Sequence, residues 1–147
     1  MSTARAANYT TLDRWGPILT LPGLRFVNLQ YDECEGELAD AESRFGIRIL
    51  RPDIDLLNDL DGAAALTSAL DLVISAGTSV AEMAGALGVS VWRIGPAGEW
   101  TALGTGCRPF YPAMRLFTPP KSGTLDDALG AVGRALTQIT RPERRRS

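Results

Sequence analysis

Hydroxyl and carboxylate side chains follow a buried apolar stretch in residues 75–82, where they could bind a ligand. The run "DLVIS" is typical of a buried strand, and Gly77, Thr78 and Ser79 come before Glu82. A glycine allows the backbone to approach a ligand closely. The free N–H groups and the dipole of a helix start attract anions, phosphate above all. Gly77, Thr78 and Ser79 are therefore a candidate anion-binding turn, although every α/β protein contains several helix starts.

Glu82 has two interpretations on spacing alone. The segment "SVAE" fits the capping box, in which Ser79 is the N-cap. The Glu82 carboxylate then accepts a hydrogen bond from the backbone N–H of Ser79. In the other interpretation the carboxylate contacts a ligand bound at the turn. The pattern leaves both interpretations open.

The chain contains no histidine, which limits the chemistry it can perform. Neither a Ser-His-Asp triad nor a Cys-His pair can be assembled, and the commonest zinc ligand is missing. A general acid or base must then be a carboxylate or come from another polypeptide. We therefore assign no catalytic residue, and we predict neither a metal nor another resident cofactor.

Composition and charge are those of one globular domain without a membrane span. Of the 147 residues, 45% are hydrophobic and 22% are charged. No apolar stretch approaches the roughly 18–20 residues of a membrane helix. Cys34 and Cys107 lack C-x-x-C spacing, which favours reduced thiols and a cytoplasmic location. Basic residues are scattered except in the C-terminal "RPERRRS", so we predict a solvated, disordered tail and no nucleic-acid partner.

Helical and strand-like segments alternate along the chain. The predicted helices cover residues 10–21, 33–45, 58–70, 79–88 and 125–139, and the predicted strands cover 23–30, 47–50, 71–75, 89–95 and 114–117. This alternation indicates βαβ units. The predicted fold class is therefore α/β, a Rossmann-like three-layer sandwich with a mostly parallel sheet. We divide the chain into an N-terminal linker or helix (1–23), a Rossmann-like domain (24–140) and a basic tail (141–147).

A long loop rich in glycine, proline and aromatic residues covers residues 95–112. Long loops in compact domains are usually functional or mobile. Ligands of parallel sheets bind at the carboxyl ends of the strands, and this loop follows such an end. Trp100, Phe110 and Tyr111 therefore either cover the edge of the sheet or form a lid or base-stacking surface over a site.

Several of these segments together resemble a known family. The stretch "LDLVISAGTSVAEMAGALGVSVW", preceded by "FVNLQYD" and followed by "EW" and "FYPAMRLF", resembles the C-terminal half of GT-B glycosyltransferases. The nearest likeness is to the heptosyltransferase-like (family 9) domains of bacterial tetratricopeptide-repeat proteins, and it covers residues 9–117. GT-B enzymes consist of two Rossmann-like domains. The C-terminal domain holds the nucleotide-sugar donor, the N-terminal domain binds the acceptor and usually brings the catalytic base, and no metal is needed.

The resemblance implies site residues one by one. Gly77, Thr78 and Ser79 correspond to the turn that binds the donor diphosphate. The heptosyltransferase pattern D-[ST]-x-x-x-H-x-A differs here at two positions, because Gly77 replaces the aspartate and Glu82 replaces the histidine. Glu82 in "ISAGTSVAE" is similar instead to the ribose-binding glutamate of "ISRAGA-TVAE" in the N-acetylglucosaminyl transferase of peptidoglycan synthesis. Gln30 and Tyr31, after the first strand, are expected to face the cleft between the two halves.

The sequence leaves three possible functions open. A GT-B protein needs two such domains, so the resemblance implies a nucleotide-sugar-binding half, which is a fragment, a degenerate remnant or a domain working with an N-terminal half. The alternative is a non-catalytic α/β interaction module that packs against tetratricopeptide repeats or another partner protein. A flavodoxin-like or response-regulator-like domain is less favoured, because Lys121 is the only lysine and no acidic pocket pairs with it.

Overall fold

The computed structural model describes residues 10–96 and 100–140, and two small parallel sheets lie at its centre. The five strands in these ranges are β1 (Phe26–Val27), β2 (Ile49–Leu50), β3 (Val73–Ala76), β4 (Val91–Ile94) and β5 (Met114–Phe117). β1 pairs with β2, and β4 lies between β3 and β5, with every pair parallel. Phe26 of β1 and Ile74 of β3 pack against the same apolar cluster, so the two sheets adjoin.

Five α-helices lie in the described ranges, and their ends follow from local sequence. They are α1 (Gly16–Leu19), α2 (Glu35–Phe45), α3 (Leu60–Ser68), α4 (Ser79–Ala86) and α5 (Leu125–Thr140), with 3₁₀ turns at Leu12–Trp15 and Trp100–Ala102. Gly46 ends α2 in the left-handed region at φ +65°. Asp59 caps α3 by accepting the Gly62 N–H at 2.8 Å. At the start of α5, the Thr124 N–H donates to Asp127 Oδ2 at 2.7 Å.

The two faces of β4 are covered by different helices. Trp92 and Ile94 pack against the cluster that includes α5 and α1, whereas Val91 packs against Ala81 and Ala84 of α4. α2 contacts α1, on the face of the sheet that α5 covers, and α3 contacts α4, on the opposite face. Helices therefore cover both faces of a parallel sheet, which confirms the predicted α/β three-layer fold class.

The predicted elements are present, although the strands are shorter than the sequence pattern indicates. β1 contains two residues, whereas the predicted strand covers residues 23–30. Ile18, in the predicted N-terminal segment, is buried against α5. The proposed division at residues 23 and 140 stays a prediction, and residues 1–9 and the tail 141–147 lie outside the described residues. No helix in the described ranges is long and apolar enough to cross a membrane.

Candidate functional site

Helix α4, which follows the turn after β3, begins one residue earlier than the capping-box interpretation requires. Thr78 is the N-cap, with an extended backbone (φ −120°, ψ 172°), and Ser79 is already helical. The Thr78 hydroxyl lies 3.1 Å from the hydroxyl of Ser75, and no side chain caps the helix. The interpretation of Ser79 and Glu82 as a capping box is therefore wrong. The backbone N–H of Glu82 donates to the Thr78 carbonyl, and its carboxylate is directed elsewhere.

The Glu82 carboxylate pairs with Arg108, which belongs to the long loop before β5. Nη2 of Arg108 donates to both carboxylate oxygens, at 2.5 and 2.6 Å. The arginine side chain is 4% exposed and the glutamate side chain 39%. The guanidinium is thus the buried member of the pair, and the carboxylate is the partly exposed one.

A second buried arginine lies directly beneath the turn. Arg93 is paired in register with Ser75, and both occupy the face of the sheet that α4 covers. A Cβ atom placed on Gly77 would lie 2.0 Å from Nη2 of Arg93. Gly77 does not have a positive φ, so its lack of a side chain matters because the guanidinium approaches the backbone closely there.

The loop also packs onto α4 one helical turn beyond Glu82. A Cβ atom on Gly85 would lie 2.8 Å from Cγ of Tyr111, so the ring rests directly on the helix backbone. The Arg108 guanidinium lies 5.7 Å from the centre of the same ring. Tyr111 therefore covers α4, whereas Phe110 is exposed and the Trp100 side chain lies outside the described residues. Whether the loop acts as a lid stays a prediction.

Gln30 and Tyr31 lie in a separate cleft of about 280 Å³ at the carboxyl ends of β1 and β2. Both are exposed, and the Gln30 N–H donates to the Asn28 side chain at 3.1 Å. Leu29, directly before them, packs against the α4 cluster, so this cleft adjoins the α4 side of the sheet. A larger cleft, of about 600 Å³, lies between the N-terminal 3₁₀ turn and the end of α2 and contains none of the predicted site residues.

The cleft after β1 is acidic, which matters for the placement of an anion. Its lining includes four carboxylates, namely Asp32, Glu33, Glu35 and Asp55, against one cation, Arg51, which pairs with Glu35. Hydrogen bonds from Asn58 lower the pKa of Asp55 from its ordinary value. Burial raises the pKa of the Cys34 thiol at the same cleft, despite a hydrogen bond from Asn28. Negative charge of this density favours hydroxyl groups or a base in the cleft and disfavours a diphosphate.

Arg93 and Arg108 were missed by the sequence analysis. A signal existed for Arg93, because a charged residue inside the apolar run "VSVWRIG" is rarely buried without a specific role. Arg108 had no such signal, since it follows no periodic pattern within an irregular loop. Of the predicted residues, the structure brings Gly77, Thr78, Ser79 and Glu82 to one helix start and places Gln30 and Tyr31 in the neighbouring cleft.

No group of three or more histidine, cysteine, aspartate or glutamate side chains that could hold a metal occurs among the described residues. Arg93 and Arg108 lie near the start of α4, and their guanidinium groups are of the kind that binds oxyanions. The roles of the six predicted binding residues stay predictions.

Comparison with known proteins gives one relative to report. Protein FlbA of Caulobacter vibrioides is 40% identical over 137 residues, which is 92% of this chain and 23% of that protein. The chain thus spans about a quarter of the length of the curated relative it matches. No family model matches the chain, and no solved structure matches it.

Proposed function

We propose that this chain is the donor-binding half of a metal-independent glycosyltransferase-like protein and binds a nucleotide sugar. The confirmed α/β fold supports this, because parallel sheets bind ligands at the carboxyl ends of their strands. The turn after β3 and the loop after β1 lie at such ends. The helices that follow them, α4 and α2, pack on opposite faces of the sheet.

The observation that carries the proposal is the pair of buried arginines near the start of α4. Arg93 and Arg108 are 7% and 4% exposed, one against Gly77 and the other against Glu82. Guanidinium groups bind phosphate oxygens through charged hydrogen bonds, and a helix start adds backbone N–H groups. The diphosphate therefore belongs at Gly77, Thr78 and Ser79, while the acidic cleft of Gln30 and Tyr31 suits the hydroxyl groups of the donor.

In this mechanism the domain stabilises the departing nucleoside diphosphate and does not activate the acceptor. Preorganised donors aimed at developing charge lower the barrier without reorganising during the reaction. The base that deprotonates the acceptor hydroxyl belongs to another part of the protein or to a partner. The likeness to a relative about four times as long fits a domain that works beside further sequence. A cytoplasmic location is part of this proposal, and the two free cysteines favour it.

A thermal-shift panel of UDP-, GDP-, ADP- and CMP-sugars tests the proposal. A ligand that binds the folded state alone raises the melting temperature by mass action. At about 100 times the dissociation constant, that stabilisation is about 2.7 kcal/mol. We expect at least one nucleotide sugar to stabilise the protein and its free sugar to do nothing. Absence of any shift at millimolar concentrations overturns the proposal.

A non-catalytic interaction module is the second candidate, and exposed apolar side chains favour it. Leu57 and Leu60 are 58% and 61% exposed on the segment between β2 and α3, and Phe110 is 64% exposed in the loop. Exposed apolar groups of this size occur at protein interfaces. Self-association that Leu57→Ser and Leu60→Ser abolish, together with indifference to every nucleotide, would favour this function over donor binding.

A further inference from the structure

Strand β2 pairs with β1 along one of its edges, and the backbone groups of Ile49 point to the other edge. The Asn28 N–H donates to the Leu50 carbonyl at 2.9 Å, so the polar backbone groups of Leu50 face β1. Successive residues of a strand direct their N–H and C=O groups to opposite edges. Those of Ile49 therefore point away from β1. Among the described residues, no strand pairs with this outer edge.

Two side chains bind the outer edge of β2 where a neighbouring strand would otherwise pair. The Ile49 N–H donates to Oε1 of Glu42 at 2.6 Å, and the Ile49 carbonyl accepts a hydrogen bond from Nη1 of Arg51 at 2.8 Å. The two side chains also bind each other, since Nη1 and Nη2 of Arg51 donate to the two carboxylate oxygens of Glu42, each at 3.0 Å. We call Glu42 and Arg51 together the edge cover, because they satisfy both outward groups of Ile49.

The neighbouring residues hold the edge cover in position. Glu42 lies in the last turn of α2, and its carbonyl also accepts the Ile47 N–H at 3.3 Å. Nε of Arg51 donates to Glu35 at the start of the same helix, at 2.9 Å. Pro52 follows directly, and a proline has no N–H to offer another strand. The edge available for pairing is therefore short and centred on Ile49.

Without the edge cover, this edge is complementary to a second copy of itself. A strand edge with unpaired N–H and C=O groups is a template for pairing with another chain. In an antiparallel pairing about a twofold axis, each Ile49 donates its N–H to the carbonyl of the other copy's Ile49. The same register places the exposed Leu50 of each copy opposite the exposed Arg48 of the other. The partner that fits this edge is therefore a second copy of the chain.

We propose that the edge cover prevents β2 from pairing with the β2 strand of a second copy of this chain. With Glu42 and Arg51 in place, the outward backbone groups of Ile49 are occupied and the edge is closed. When both side chains are removed, two copies join their sheets through antiparallel β2 strands centred on Ile49. This inference concerns assembly and does not depend on the proposed binding of a nucleotide sugar.

Sedimentation equilibrium of the full chain over a series of protein concentrations tests the closed edge. The double variant Glu42→Ala/Arg51→Ala removes the edge cover, and Arg44→Ala, which breaks an exposed ion pair with Asp13, is the matched control on α2. We expect the double variant to dimerise about tenfold more tightly than the parent, or more. Arg44→Ala should associate as the parent does. Equal association constants for the parent and the double variant overturn the proposal.

A third substitution tests the register, because position 50 of one copy lies opposite Arg48 of the other. Added to the double variant, Leu50→Glu places opposite charges at the two cross-strand pairs, and Leu50→Lys places like charges there. We expect the dimer with Leu50→Glu to be about threefold tighter than the dimer with Leu50→Lys, or more. Equal stability of the two dimers means that association uses another surface and overturns the pairing through β2.

Hydrogen exchange of the Ile49 amide tests the edge cover in dilute protein, where dimers dissociate. We expect this amide to exchange about tenfold faster in Glu42→Ala than in the parent, because it loses a hydrogen bond to a charged acceptor. Glu42→Gln keeps a side-chain oxygen at this position and should retain most of the protection. The Leu50 amide, which faces β1, is the internal control and should not change.

Unchanged exchange of the Ile49 amide in Glu42→Ala overturns the edge cover. If the double variant does not fold, Glu42→Ala and Arg51→Ala are each compared with the parent in the sedimentation experiment. Each single variant opens one of the two Ile49 groups, so each should dimerise more tightly than the parent. Association equal to the parent's in both single variants overturns the proposal.

Discussion

The aromatic ring of Tyr111 lies against the backbone of Gly85 so closely that a Cβ atom there would be 2.8 Å from Cγ of the ring. Gly85 and Glu82 are three residues apart and share one face of α4. The long loop therefore docks on this helix through two different contacts, an aromatic ring on a glycine and a guanidinium on a carboxylate. The small side chains of α4 make the first contact possible.

Gly85→Ala is expected to destabilise the protein. Alanine is the better helix former by about 1 kcal/mol, but the added methyl group meets both Tyr111 and Met114 of the buried cluster. Overpacking of this kind costs about 1–3 kcal/mol, so we expect a net loss of about 1 kcal/mol in urea unfolding. The matched control is Gly36→Ala in α2, where no atom outside the adjoining residues and the helix's own backbone lies within 4 Å of the new Cβ. A stability gain in Gly85→Ala similar to that of the control would contradict the close contact.

Removal of the Glu82 carboxylate should cost more than removal of an exposed ion pair. Glu82→Gln leaves a buried guanidinium without this charge partner, and we expect a loss of about 1–2 kcal/mol, less than for a fully buried pair because the carboxylate is partly exposed. Asp13→Asn breaks the exposed pair with Arg44 and should cost less than about 0.5 kcal/mol.

Salt distinguishes the two pairs in the same unfolding experiment. Screening weakens exposed pairs most, so the cost of Asp13→Asn should vanish at high salt while most of the cost of Glu82→Gln persists. Equal costs for the two variants, or equal loss of both in salt, would show that burial of Arg108 does not strengthen its pair.

The sequence predicted the order of elements and the turn after β3 because both follow from local rules. Apolar spacing marks helix faces such as that of Leu38 and Ala41, and Gly46 ends its helix through its own conformational freedom. The partner of Glu82 could not be predicted, because Arg108 is 26 residues away and no periodicity connects them. A capping box is a local pattern, and here a long-range ion pair replaces it.

Acid should destabilise the protein through Glu42. Hydrogen bonds from the Arg51 side chain, and then from the Ile49 N–H, lower the pKa of this carboxyl below its ordinary 4.5. The folded state thus prefers the charged form, so its contribution to stability is present above the ordinary pKa. This contribution is lost as pH falls through the lower pKa of the folded state.

Glu42→Gln isolates this contribution in thermal unfolding. We expect the variant to melt below the parent at about pH 6–7, and the difference to shrink as the pH falls below the ordinary pKa of a glutamate. Glu33→Gln, which removes an exposed carboxyl from the lining of the cleft after β1, is the control. A difference between parent and Glu42→Gln that stays constant from neutral to acidic pH would contradict the role of the Arg51 hydrogen bonds.

The two cysteines should differ in their reactivity toward thiol reagents. Cys107 is exposed, whereas Cys34 is partly buried at the start of α2 and burial raises its pKa. Since the thiolate is the reactive form, Cys34 presents less of it at pH 8 and should react more slowly with a maleimide. Mass spectrometry of partially labelled protein checks the order, and unfolding in urea should make the two rates equal. Preferential labelling of Cys34 in the folded protein would contradict the packing of the cleft after β1.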